Sequence, residues 1–192
     1  RVLWVVWGVA VCPYPVPLDV TLGEEMTGLG RVMALFAPNH YHPQFIEGWK
    51  KAFPSAKLFG SPVLGHKRSD LEFDHWLSDE PPGLWADEID QAEIKGMPEL
   101  GEFVFFHREG RTLIVADIVF NYTPEQAAAD PGAADGLGPH QRRRDEIVNK
   151  TALAQSVETI LQWDFDRVVV SHGEVVEHNG RELFAAGFSF LK

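Results

Sequence analysis

The chain has 192 residues, of which 45% are hydrophobic and 23% charged. That is enough for one domain with a substantial core and ordinary for a soluble globular protein. A net charge of −11 argues against a basic face for nucleic acid or an anionic membrane. The cluster Arg142-Arg143-Arg144 runs straight into Asp145-Glu146 and reads as a solvated helix start. A single cysteine, Cys12, excludes an internal disulfide framework and a cysteine-built zinc site, and is compatible with a reducing, cytoplasmic setting.

The chain begins at Arg1, so it is expected to be trimmed or incomplete. Val2 to Cys12 is an apolar run too short to span a bilayer and stopped by Pro13. Trp4, Trp7 and the lack of a small-residue cleavage pattern favour buried strand, or two short strands broken at Gly8, over a signal-peptide core. Pro13, Pro15 and Pro17 give an extended entry. A short helix should follow, with Thr21 and Glu24 at capping-box spacing and Gly28 or Gly30 at its end. Arg31 to Ala37 is a second buried strand, running into Pro38-Asn39-His40-Tyr41-His42-Pro43. Residues 44–53 read as a helix with Phe45, Ile46, Trp49 and Phe53 on one side, and Ala56 to Phe59 as a short strand. Residues 60–87 are expected to be irregular, anchored by buried Trp76 and Trp85.

Ile89 to Ile94 is expected to be a strand. Glu102 to His107 and Thr112 to Asp117 form a hairpin turned at Gly110. Residues 122–143 read as loop. Asp145 to Trp163 has the strongest helical pattern, with Ile147, Leu153, Val157, Ile160 and Leu161 on its apolar face. Asp166 to Ser171 is another buried strand, followed by His172-Gly173-Glu174, and a last helix covers residues 180–191. Asp164 and Asp166 read as turn caps. His66, His75, His140 and His178 sit in polar context and are expected to be exposed. Helices and strands alternate without repeat or linker, which fits one layered α/β domain over residues 1–192. Function in such domains gathers on loops at one edge of the sheets.

Asp117 interrupts the apolar run Leu113-Ile114-Val115-Ala116-Asp117-Ile118-Val119-Phe120. An ionised carboxylate there is costly unless paired, hydrogen-bonded or metal-bound. Either the strand ends at Asp117 and delivers it to a site, or a partner comes to it, or it caps a loop at the strand end. Three strand ends carry polar chemistry: His40-Tyr41-His42, Asp117 and Ser171-His172-Gly173. Histidines with a carboxylate are a usual ligand set for zinc, iron or manganese. Each motif alone is weak; their succession after apolar strands carries the weight. There is no Gly-Lys-Ser/Thr phosphate loop and no Gly-x-Ser-x-Gly elbow.

This order, strand-His-x-His, hairpin-Asp, strand-Ser-His-Gly, resembles the metallo-β-lactamase fold superfamily. More narrowly, Ala37-Pro-Asn-His-Tyr-His42, Phe105-Phe-His-Arg108, Thr112 to Asn121 and Trp163 to Glu174 resemble a branch of it known as a domain of unknown function. The resemblance implies a four-layer αββα sandwich, lacking part of the N-terminal strands. It also implies a metal site built from His40, His42, Asp117 and His172. Where the superfamily pattern has Asp and His two and three residues after its second histidine, this chain has Gln44 and Phe45. Its middle histidine turn aligns with Gly96-Met-Pro-Glu-Leu-Gly101, which has none. His107 is a poor substitute, since it belongs at the hairpin turn, roughly 17 Å from Asp117 at strand rise. Asn39, Glu99 and Glu102 are the substitute ligands, Glu102 being expected near Asp117 across the hairpin.

The expectation is therefore a degenerate site with at most one ion, zinc first and iron or manganese as alternatives. It would serve a hydrolase of a small ester, lactone or amide, with Asp117 in the chemistry and Tyr41 or Asn39 orienting a small-molecule substrate. The alternatives are a non-catalytic binding or interaction module with an eroded site, in which Asp117 and His172 pair with each other, and an iron oxidoreductase. No nucleic-acid or membrane partner is expected, and the sequence leaves the oligomeric state open.

Overall fold

The computed structural model describes residues 4–6, 9–12, 17–41, 43, 45–133 and 136–192. The breaks and turns expected at Gly8, Pro13 and Pro15, the packing of Trp7, and His42 and Gln44 lie outside them. The chain divides into two units, Arg1–Leu77 and Ser78–Lys192.

In the first unit the elements run β1 (Trp4–Val6), β2 (Val9–Cys12), α1 (Val20–Leu29), β3 (Arg31–Ala37), α2 (Ile46–Ala52), β4 (Lys57–Gly60), α3 (Leu64–Lys67) and β5 (His75–Trp76). They build one five-stranded sheet in the order β1-β2-β3-β4-β5. β1 and β2 are antiparallel; every later pair is parallel. Parallel neighbours need crossovers, and α1 and α2 provide two of them. Leu22 and Met26 of α1, four residues apart, pack with Val32 and Leu35 of β3 and with Ile46 and Trp49 of α2. The N-cap of α1 is Asp19, whose carboxylate accepts the Leu22 N–H at 2.8 Å. Thr21, the expected cap, lies inside the first turn. Trp76 is not a buried anchor: it is 49% exposed and lies against Phe73. Trp85, in the second unit, is buried as expected, because its indole N–H finds the Gln91 side-chain oxygen at 3.0 Å.

The second unit begins with β6 (Ile89–Glu93), β7 (Phe103–His107), β8 (Thr112–Ile114), β9 (Phe120–Tyr122), α4 (Pro124–Ala129) and β10 (Gly136–Gly138). It continues with α5 (Gln141–Asp145), α6 (Lys150–Ile160), β11 (Arg167–Val169), α7 (Gly180–Gly187) and a 3-10 turn at Ser189–Leu191. Its main sheet has the order β11-β8-β7-β6, antiparallel except for the β11–β8 pair. The hairpin pairs Phe105 with Ile114 and His107 with Thr112. Residues 122–143 are not plain loop: β9 pairs with β10, and α4 carries a complete capping box from Thr123 and Gln126. These elements are three to six residues long, too short to show periodicity. α6 starts at Lys150, later than expected, because the Val148 and Asn149 N–H groups both go to the Gly96 carbonyl and Asn149 caps the helix. Leu153, Val157 and Ile160 form its buried face, as expected.

Candidate functional site

The ladder of β8 stops at Ile114, three residues before Asp117. Val115 N–H still reaches the Val169 carbonyl at 3.0 Å. The next two amides go to Glu102, immediately before β7. Its carboxylate oxygens accept Ala116 N–H and Asp117 N–H, each at 2.8 Å, and Glu102 is fully buried. A buried carboxylate is tolerated when it takes such donors, and amides beyond a ladder must find acceptors. Glu102 thus lies beside Asp117, as the hairpin geometry predicts, and holds its backbone.

The Asp117 side chain is 5% exposed, and its Oδ1 lies 3.2 Å from Nε2 of His172. The His172 side chain is 37% exposed and reaches this position through a backbone clamp. Asn121 N–H donates to the His172 carbonyl at 3.1 Å, and Glu174 N–H to the Asn121 carbonyl at 2.8 Å. The Asn121 side-chain amide donates to the Glu174 carbonyl at 2.8 Å. Between them Gly173 has φ +93°, and a Cβ there would stand 1.9 Å from the Asn121 carbonyl oxygen. Only glycine fits. The Phe120 ring supports the imidazole at 4.6 Å.

Two side chains that flank the same Phe120 ring, Tyr122 and His140, belong to none of the sequence motifs. The Tyr122 phenol is pushed up from its ordinary value by burial, then by the charge of Asp130 and a hydrogen bond to it, and then by Asp117. His140, expected to be exposed, is 4% exposed. Its Nδ1 accepts the Arg142 N–H at 3.1 Å at the start of α5. In the neutral ring the proton then sits on Nε2, which faces Asp130 Oδ1 at 3.5 Å. The residue before a polar helix start was the available clue, since a side-chain acceptor belongs there.

In the first unit, the strand end after β3 is different. Asn39 is buried and its Oδ1 accepts the Tyr41 N–H at 2.9 Å, shaping the turn. His40 is half-exposed, with the Tyr41 ring 4.8 Å away. The Lys67 ammonium lies in contact with the His40 imidazole. His42 lies outside the described residues. Glu99 is exposed in the Gly96–Gly101 segment of the second unit. His107 accepts the Gly110 N–H at the hairpin turn, as expected. Asp166 caps the approach to α7 through Asn179 N–H and also pairs with His178, while Asp164 pairs with Arg111.

Among the described residues, no group of three or more His, Cys, Asp or Glu side chains is gathered to hold an ion. The Asp117–His172 pair nevertheless fits one ion as two of its ligands. Oxygen and imidazole donors at roughly 2.0–2.1 Å from a tetrahedral zinc lie about 3.3 Å apart, close to the observed 3.2 Å. Among the described residues no helix is long and apolar enough to cross a membrane.

No family model matches this sequence, and no curated protein matches it. Solved structures do. The chain is similar to a metallo-β-lactamase from Pontibacter korlensis, with TM-score 0.63 and 14% identity over 98% of this chain and 85% of that one. It is similar to the DIM-1 metallo-β-lactamase, with TM-score 0.65 and 14% identity over 98% and 84%. It is also similar to a mutant flavo di-iron protein from Thermotoga maritima, with TM-score 0.63 and 10% identity over 99% and 52%. The chain therefore has the metallo-β-lactamase fold, the α/β architecture implied by its strand-end motifs. At these identities the likeness establishes the fold alone.

Proposed function

We propose that the chain is a metal-dependent hydrolase of a small ester, lactone or amide, with a reduced site that takes at most one ion. The observation that carries this reading is the approach of a nearly buried Asp117 carboxylate to His172 Nε2 at 3.2 Å. Zinc suits the oxygen-nitrogen donor set, with iron or manganese next. When bound, the ion would supply Lewis acidity and lower the pKa of a water towards 7. The protein's part is positional. Glu102 fixes the Asp117 backbone, the Asn121–Gly173 clamp fixes the His172 backbone, and the Phe120 ring limits rotation of the imidazole. The exposed edge of His172 leaves a side from which a substrate can approach.

The test is metal content after purification without added ions and again after soaking with zinc, iron or manganese. About one equivalent is expected in the native chain, falling below about a tenth in Asp117→Asn/His172→Ala. The same measurement in His40→Ala and His42→Ala tests their expected share, and hydrolysis of ester and lactone probes by Tyr41→Phe tests the expected role of Tyr41. Native chain that takes up no metal would end the proposal. Redox activity of an iron-loaded form would move it to the oxidoreductase class.

A second reading is a non-catalytic binding module with an eroded site. The observation favouring it is the Lys67 ammonium against the His40 imidazole, since an ammonium beside an imidazole opposes a further cation there. In this reading the Asp117–His172 contact is a hydrogen bond joining two loops. Native stability unaffected by excess zinc would support it.

A further inference from the structure

The second unit holds a cavity of about 470 Å³ that includes none of the residues discussed above as ligands. It lies between β6, the segment at Asp79 and Pro81, and α6 with Trp163. Its size is that of a small-molecule pocket. The chemistry of its wall is uneven. Asp79 is matched by Lys95, Nζ to Oδ2 at 2.8 Å. Asp90 is matched by Arg108, which reaches both carboxylate oxygens at 2.5 and 2.8 Å. Glu93, half-buried on β6, has no such partner: its carboxylate makes no hydrogen bond among the described residues, although Lys95 is near enough to be felt. Burial first, and repulsion from Asp79 second, push the Glu93 carboxyl above its ordinary value. Lys95, held on Asp79, offsets this only in part.

The rest of the wall supplies a body-binding surface. Trp163 lines the cavity and is held by stacking on Phe106, with ring centroids 5.7 Å apart and planes at 12°. Its indole N–H and the Gln155 amide make no hydrogen bonds among the described residues. Pro81 and Ala92 add apolar surface. A carboxylate with no hydrogen bond among the described residues and a stacked indole, lining one cavity, are a combination that recognises an ammonium group on a flat body, through charge pairing and cation–π attraction.

We propose that this cavity binds a small amine, a molecule carrying one protonated amino group on a flat apolar body, with Glu93 as counter-ion and Trp163 as platform. The site is separate from the Asp117–His172 pair and needs no metal, so it stands or falls independently of the hydrolase reading.

The probe is phenethylamine, with 3-phenylpropionate as a control of similar shape and opposite charge. Titration calorimetry on the native full chain should show saturable binding of the amine and none of the carboxylate. Glu93→Gln should weaken amine binding at least about tenfold. In two-dimensional amide spectra of the native chain, the Trp163 indole resonance, identified by its loss in Trp163→Phe, should shift with the amine and not with the carboxylate. That readout decides the matter even if the Glu93 variant fails to fold. No saturation by about 10 mM amine, equal binding of the carboxylate, full binding in a folded Glu93→Gln, or an unmoved Trp163 resonance would each overturn the assignment.

Discussion

In the first unit β3 delivers His40 to a turn where the Lys67 ammonium already stands against the imidazole. In the second unit β8 and β11 deliver Asp117 and His172 to each other, 3.2 Å apart. The two places begin from the same sequence pattern, an apolar strand followed by a histidine or a carboxylate. Their difference comes from what arrives alongside. An ammonium beside an imidazole disfavours a second cation, whereas a carboxylate favours one. The strand pattern marks where polar groups emerge; residues remote in sequence set whether those groups are open to an ion.

The largest effect should come from the clamp under His172. Gly173→Ala forces a Cβ onto the Asn121 carbonyl at a positive φ. It should cost at least about 3 kcal/mol in urea unfolding. A loss under about 1 kcal/mol would show that the clamp yields easily, and the contrast with the His40 turn would be gone. Glu102→Ala comes next. It strands two buried N–H groups and should lower stability by about 2–4 kcal/mol. Retained stability would mean another acceptor takes them.

Much of the fold was legible in the sequence, because its long strands are unbroken apolar runs and α6 has a clear buried face. The approach of Asp117 to His172 and the position of Glu102 follow from strand order and hairpin register. The rest depended on contacts between distant residues. Nothing near His40 in sequence announces Lys67, 27 residues later. His140 looks like a surface histidine until its role at the start of α5 is seen. Trp76 and Trp85 look alike in sequence; only Trp85 has a buried acceptor for its indole N–H.

A smaller effect belongs to the first unit. Burial raises the Asp74 carboxyl, but Lys57 at 2.8 Å, Leu58 N–H at 2.9 Å and Lys50 at 3.3 Å outweigh it and bring it from 3.8 down to about 2. A carboxyl depressed in the fold contributes fully above its unfolded value and loses that contribution as pH falls toward the folded one. Asp74→Asn should therefore cost about 1–2 kcal/mol at neutral pH, discounted for solvent screening. The gap to the native chain should close as pH drops from about 4 to about 2. A pH-independent gap would assign the loss to something other than charge. The smallest effect is expected for Lys67→Ala, within about 0.5 kcal/mol. Its signature is chemical: His40 should react faster with diethyl pyrocarbonate. An unchanged rate would mean Lys67 does not cover the ring, and the two strand ends would become alike.

β6 is an outer strand of the second unit's sheet, yet its outward backbone is not bare. Asp79 Oδ1 takes the Glu93 N–H at 2.9 Å, and the Gln91 amide ties down the carbonyls of Ser78 and Glu80 at 2.6 and 3.3 Å. One outward donor is thereby taken and the Ser78–Glu80 segment is tied to the strand, which makes it a poorer template for another chain to zip onto. The short segment from Ser78 to Glu80 shields part of this edge, and weakening it should show first as turbidity that grows with protein concentration.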